Sequence, residues 1–114
     1  MTRPPRMTVQ TEAVLAALLE HGGELWGFEL SRLSGLAAGT IYPILQRLAA
    51  AGWVVSRWED QSDAEAGGRP ARRYHQLTVE GRSRAVHALE ATAARRADLS
   101  RLLGLRPDTD AAPS

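Results

Sequence analysis

The first half of the chain contains three stretches in which apolar residues recur with helical spacing. Residues 8–20 form the first stretch, and either Thr8 or Thr11 is suited to cap its N-terminus. The second stretch covers residues 26–33. The third covers residues 38–51 and places apolar side chains at positions i, i+3, i+4 and i+7. Glycine-containing breaks separate the stretches, so the pattern predicts three short helices joined by tight turns.

The second half changes to a strand pattern and then returns to a helical one. Residues 53–58 and 73–77 are rich in β-branched and aromatic residues, and a polar loop with two glycines and a proline separates them. Thr78 is suited to cap a last helix that continues to about Leu103, a length of roughly 38 Å at 1.5 Å per residue. The predicted fold is mainly α with a small β-hairpin: a winged helix-turn-helix followed by one long C-terminal helix.

Four motifs occur along this predicted fold in an order that resembles the PadR family of bacterial transcriptional regulators. They are Trp26-Gly27-Phe28-Glu29-Leu30, Gly39-Thr40-Ile41-Tyr42-Pro43-Ile44-Leu45, Gly68-Arg69-Pro70-Ala71-Arg72-Arg73-Tyr74 and Leu77-Thr78-Val79-Glu80-Gly81-Arg82. By this resemblance the second motif begins the recognition helix, the third belongs to the wing, and the fourth begins the dimerisation helix. The single C-terminal helix is similar to the compact branch of the family.

The resemblance implies a division of the chain and a function. Residues 1–78 would form the winged helix-turn-helix DNA-binding domain, residues 79–104 the dimerisation helix, and residues 105–114 a flexible tail. The implied function is a sequence-specific, ligand-responsive repressor that binds a pseudo-palindromic operator in double-stranded DNA as a homodimer. The resemblance also implies a pocket between the subunits, lined by the first and last helices, that binds a small hydrophobic effector. The alternative is a winged-helix adaptor that acts through protein contacts and has no operator of its own.

The outward face of the third predicted helix and the wing supply the candidate DNA contacts. Arg47 is suited to a guanine edge and Gln46 to an adenine edge, because each side chain can form two parallel hydrogen bonds with that base. The alternative for Tyr42 is a half-buried ring against the second helix, and the alternative for Gln46 and Arg47 is a solvated helix face. For the wing arginines the alternative is a mobile, solvated loop without a partner. The candidate DNA-binding residues are Thr40, Tyr42, Pro43, Gln46, Arg47, Arg69, Arg72 and Arg73.

The last predicted helix is too long to bury its apolar side chains against a core of about 70 residues. A second copy of the chain is the expected partner, and the alternative is a helix that folds back on its own domain. Including the first helix, the candidate dimer residues are Val14, Leu18, Val86, Leu89, Ala93, Leu99, Leu102 and Leu103.

Charge adds to this picture through its distribution rather than its total. The formal net charge is only +1, but all 14 basic residues are arginine. Residues 67–84 contain five arginines and one acid, whereas residues 57–65 contain one arginine and four acids. We therefore expect a basic wing region, which suits nucleic acid, and an acidic limb that lies away from it.

Composition argues against other classes of protein. Without cysteine there are no disulfides or thiolate metal sites, and a reducing cytoplasm is the expected location. No apolar run is long enough to span a bilayer, so no membrane contact is expected. The three histidines are far apart, and the glycine pair lacks a phosphate-loop lysine. We expect no enzyme activity, no metal and no cofactor.

Overall fold

The computed structural model describes residues 4–104, and the predicted tail at residues 105–114 lies outside the described residues. Three helices come first: α1 (Val9–His21), α2 (Gly27–Ser34) and α3 (Ala38–Ala50). Thr8 caps α1, because its hydroxyl oxygen accepts a hydrogen bond from the amide of Thr11. The predicted N-terminus of α1 therefore forms as the local sequence requires.

The sheet is larger than the predicted hairpin. Strands β2 (Val54–Trp58) and β3 (Arg73–Leu77) pair antiparallel, as expected, but β1 (Leu25–Trp26) pairs with the other edge of β3. The sheet therefore has three strands in the order β1-β3-β2, and Trp26 ends β1 and is the N-cap residue of α2. The expected polar loop also contains a short helix, α4 (Gln61–Ala66), which Asp60 caps.

The core lies where α1, α2, α3 and the sheet meet. Its largest fully buried side chains come mainly from the helices and include Leu15, Leu30, Ile41 and Leu48. The predicted inward stripe of the third helix is thus confirmed. Burial of each such side chain contributes about 1.5–3 kcal/mol to folding. This gain accounts for the apolar residues at helical spacing in the first three helices.

The long helix α5 (Val79–Leu102) is fastened to the winged domain at its N-terminus. Thr78 caps it by accepting a hydrogen bond from the amide of Gly81, and the Thr78 hydroxyl donates to the carbonyl of Gly52. Ala85 is buried against the core and Leu89 packs on its edge. Farther along α5, the guanidinium of Arg96 still lies 3.6 Å from the carboxylate of Glu12 on α1, and the last two turns are largely exposed.

Candidate nucleic-acid interface

Helix α3 divides its residues between the core and solvent as the 3.6-residue period predicts. The four residues on its inner side are buried, whereas Pro43, Gln46 and Arg47 are exposed. Thr40 is half-buried in the first turn. Ala37 precedes the helix without a capping side chain, so its N-terminus carries no local acid or hydroxyl cap. The exposed side of α3 is therefore free of negative charge and presents one guanidinium and one amide.

Tyr42 links α3 to two other elements. Its ring meets the ring of His75 edge-on, with 6.3 Å between the centroids. Its hydroxyl lies so close to Gly27 at the start of α2 that a Cβ at that position would be 3.2 Å away. The ring is about half exposed, so Tyr42 packs against the second helix, as the alternative held, and still reaches the outer surface.

His75 is held beneath this tyrosine in the middle strand of the sheet. It is only 2% exposed, and its Nδ1 lies 2.7 Å from the hydroxyl oxygen of Ser56 on β2. Burial lowers the pKa of His75, and the positive charge of Arg73 lowers it further. The imidazole that packs against Tyr42 of α3 is therefore neutral, because the charged form would be poorly solvated at this position.

The wing arginines lie on aromatic rings rather than extending freely into solvent. The guanidinium of Arg72 lies 3.9 Å from the centroid of the Trp26 ring, and that of Arg73 lies 5.0 Å from the centroid of Trp58. Both distances are within the range of cation–π attraction. In the structure the side chains of Arg72 and Arg73 therefore each have an aromatic partner.

Arg69 has an intramolecular partner, Glu59, that the sequence pattern does not predict. Its two terminal nitrogens donate to the two carboxylate oxygens of Glu59, at 2.5 and 2.8 Å. One of these oxygens also accepts a hydrogen bond from the amide of Arg72. These donors, the Arg69 guanidinium first, lower the pKa of Glu59 to about 2. Glu59 thus turns toward the basic segment and holds the base of the wing together.

Three aromatic residues were missed as parts of this surface. Trp26, Phe28 and Trp58 surround the wing side of α3, and Phe28 and Trp58 are each 62% exposed. Trp53, by contrast, is buried in the core. These three residues lie at strand ends and at the start of α2. Hydrophobic periodicity alone does not show that these positions lie next to α3.

The candidate dimer residues separate into two groups. Val14 and Leu18 are 0% and 1% exposed, so the prediction that they meet a second copy is wrong; they belong to the core of the single chain. The reason is that α1 packs centrally against the other helices and the sheet. Leu89 is half-buried on the core edge. The remaining residues are exposed on α5 and at its C-cap: Val86, Ala93, Leu99, Leu102 and the C-cap residue Leu103.

Within residues 4–104, no helix is long and apolar enough to cross a membrane. The same residues contain no group of three or more histidine, aspartate or glutamate side chains arranged to hold a metal ion.

Comparison with known proteins links this geometry to a family. The model of the transcriptional regulator PadR-like family matches residues 14–87. A PadR family transcription regulator from Clostridium difficile R20291 has a similar structure with a TM-score of 0.69; at 17% identity, the alignment covers 84% of this chain and 99% of that one. A comparison with curated protein sequences finds no match.

Two further similar structures are longer than this chain. NadR in complex with 4-hydroxyphenylacetate is 25% identical, with a TM-score of 0.60, over 87% of this chain and 65% of that one. Reduced AbfR bound to DNA is 26% identical, with a TM-score of 0.60, over 77% of this chain and 56% of that one. The chain therefore spans less than two thirds of the length of either protein.

Proposed function

Because the chain belongs to the PadR-like family of transcriptional regulators, we propose that it binds a specific site in double-stranded DNA as a homodimer and represses transcription there. The observation that carries this proposal is the exposed side of α3, which presents Gln46 and Arg47 without any acid, beside a wing that bears Arg72 and Arg73. A structurally similar protein, AbfR, is bound to DNA.

The two elements would contribute different kinds of contact. An outward helix enters the major groove, where the forked donors of Arg47 suit guanine and the amide of Gln46 suits adenine. Thr40, Tyr42 and Pro43 lie at the N-terminal part of α3, where contacts to the sugar-phosphate backbone fix the register. The wing arginines would neutralise phosphates without reading sequence.

Dimer formation follows from the exposed end of α5. Leu99 and Leu103 lie four residues apart, so they share one side of the helix, and Leu102 is 84% exposed. Apolar side chains of this size are stabilised when a second α5 covers them. A two-fold dimer would place two copies of α3 on half-sites about 34–36 Å apart, or a multiple of that spacing.

We also propose that a small effector controls DNA binding. NadR, which has a similar fold, is bound to 4-hydroxyphenylacetate. An effector site between the two subunits would be lined by α1 and α5, as the family resemblance implies. Genes under such control respond to the effector because ligand and DNA favour different states of the dimer.

The test compares two arginine variants on DNA from upstream of the protein's own gene and on a scrambled duplex, across salt concentrations. Arg47→Ala should cost about 1–3 kcal/mol on the specific duplex and little on the scrambled one. Arg73→Ala should weaken both duplexes alike and reduce the salt slope by about 1. Arg84→Ala, an exposed arginine on α5, removes the same charge and serves as the control.

The opposite pattern would contradict the assignment of α3 to sequence reading and of the wing to the backbone. If neither duplex is bound at any salt concentration, the protein-contact adaptor becomes the better description of this chain.

A further inference from the structure

A cleft of about 570 Å³ opens beside α3, between the start of α2 and the segment that leads into β3. Four of the six aromatic residues of the chain line it, together with three arginines, and no acidic side chain is among its lining residues. We call it the aromatic cleft. Its defining residues are Trp26, Phe28, Tyr42, Trp58, Arg72 and Arg73.

We propose that the aromatic cleft binds unpaired nucleotides of a single-stranded nucleic acid, with the bases stacked on its rings and the phosphates held by its arginines. Proteins that bind single strands combine a positively charged groove with aromatic side chains, because every base has a π-face that can stack. This activity goes beyond the recognition of a duplex operator and does not depend on it.

Exposed aromatic rings explain the bases of the proposed ligand. Phe28 and Trp58 are both 62% exposed, although burial of either ring would remove a large apolar area from water. The ring centroids of Trp26 and Phe28 lie 5.6 Å apart, so these two rings form adjacent aromatic surfaces at the start of α2. Clustered apolar exposure of this kind marks binding surfaces in soluble proteins. A flat base that enters the cleft can stack on an exposed ring and remove it from water.

The arginines of the cleft explain the phosphates and add to the stacking surface. The guanidinium of Arg72 lies 3.9 Å from the centroid of Trp26, and that of Arg73 lies 5.0 Å from the centroid of Trp58. Guanidinium planes stack on bases as aromatic rings do, and their N–H groups suit phosphate oxygens. Each of these arginine–aromatic pairs therefore offers a flat surface and a positive charge side by side, which are the two features that a nucleotide needs.

The positive charge of Arg72 and Arg73 is not neutralised by the chain itself within residues 4–104. Neither side chain forms a salt bridge in this range, and the Nε of Arg72 has no hydrogen-bond partner there. The carboxylate of Glu59 is engaged by the terminal nitrogens of Arg69 and by the backbone amide of Arg72. Glu59 therefore neutralises Arg69 and leaves the other two guanidinium groups to an incoming anion.

Double-stranded DNA does not account for the exposed rings. In a duplex the bases stack on each other and present only their edges in the grooves. Duplex phosphates would use Arg72 and Arg73 but would leave Phe28 and Trp58 exposed. Neither of these two aromatic residues is among the predicted contacts to the duplex, so mutation can separate single-strand binding from duplex binding.

Fluorescence anisotropy with labelled oligonucleotides and the full chain tests the proposal. The main probe is an oligodeoxyuridine of about eight nucleotides, a length within the usual range of single-strand sites. An abasic strand with the same number of phosphates is the matched probe, because it carries the charge without the bases. The oligodeoxyuridine should bind at least about fivefold more tightly than the abasic strand at equal salt, since only its bases can stack.

Phe28→Ala isolates the stacking contact. This variant should weaken binding of the oligodeoxyuridine by about fivefold or more and leave binding of the abasic strand unchanged. Leu33→Ala is the matched control, because it removes an exposed apolar side chain on α2 outside the cleft lining, and it should change neither affinity. Circular dichroism of each variant confirms that it is folded.

Arg72→Gln isolates the phosphate contact. The salt slope for single strands is about 0.7 per neutralised phosphate, so this variant should reduce the slope by about 0.7 for the oligodeoxyuridine and for the abasic strand. Arg32→Gln lowers the charge equally on the exposed part of α2 and should keep the wild-type slope.

An oligouridine of the same length distinguishes the two sources of a single strand, because it differs from the main probe only in its 2′-hydroxyl groups. Tighter binding of the oligouridine would identify RNA as the ligand, and tighter binding of the oligodeoxyuridine would identify single-stranded DNA.

Three results would overturn the proposed site: equal binding of the abasic and the base-bearing strands, equal weakening by Phe28→Ala and Leu33→Ala, or tighter binding of a scrambled blunt duplex that Phe28→Ala also weakens. Duplex recognition is measured separately, with the upstream duplex and Arg47→Ala. If the oligodeoxyuridine binds through Phe28 while the upstream duplex does not bind, the proposed function fails and the single-strand site remains. If the upstream duplex binds and the oligodeoxyuridine does not, the single-strand site fails and the proposed function remains.

Discussion

Gly81→Ala should destabilise the protein, although alanine is normally the better helix residue. A Cβ at this position in α5 would lie 1.9 Å from the carbonyl oxygen of Trp53 and 2.7 Å from its Cα. Since Cβ contacts below 3.0 Å essentially never occur, the two backbones would have to separate by at least 1.1 Å. Neither side of this contact is a flexible side chain that could turn away.

The expected loss of stability follows from the hydrogen bonds that this separation of the two backbones disturbs. The amide of Thr78 donates to the carbonyl of Trp53 at 2.9 Å, and the Thr78 hydroxyl donates to the carbonyl of Gly52 at 2.7 Å. Overpacking costs about 1–3 kcal/mol, and each strained hydrogen bond adds about 1 kcal/mol. The better helix propensity of alanine returns about 1 kcal/mol. We expect a net loss of about 2–4 kcal/mol, which lowers the Tm by roughly 10–20 °C.

Thermal unfolding by circular dichroism, at one fixed protein concentration, measures this loss. Gly39→Ala is the matched control, because Gly39 also lies in a helix but has open space around its Cβ position. That variant should be unchanged or more stable by up to about 1 kcal/mol. A Gly81→Ala protein as stable as wild type would show that α5 does not approach Trp53 this closely.

Three further outcomes are expected. Leu99→Asp on exposed α5 should shift a dimer to monomer in light scattering without lowering helix content, and a monomeric wild-type protein would contradict the dimer. The free energy of unfolding should fall as the pH drops from about 7 to 5, because burial lowers the pKa of His75 while the unfolded histidine takes up a proton near its ordinary pKa of about 6.5. Urea unfolding at several pH values should show that the free energy of unfolding depends less on pH in His75→Gln. The variant His87→Gln, at an exposed position, should keep the pH dependence of the wild type. Thr78→Ala should cost about 1 kcal/mol in urea unfolding by removing the cap of α5, and no loss would contradict the capping role.

Local patterns in the sequence determined most of the elements and their ends. The strand Arg73–Leu77 forms over the predicted residues, and Thr8 and Thr78 cap the helices that follow them. These features could be predicted because helical period, strand composition and capping hydroxyls act between residues that are close along the chain. The family motifs overlap the same elements, and the family model matches residues 14–87.

Partners that are distant along the chain were decided by the tertiary structure alone. The two residues of β1 have no periodicity of their own and become a strand only through β3. An apolar stripe is the same pattern whether the core or a second copy covers it, so Val14 and Leu18 could not be assigned to the core beforehand.

The candidate site shows the same division. The outward positions of Gln46 and Arg47 follow from the period of α3, and exposure confirms them. The pairing of Arg69 with Glu59 and the stacking of Arg72 on Trp26 depend on how the wing folds over α2. The period of a helix determines which way a side chain points, whereas the approach of a second element determines what it meets.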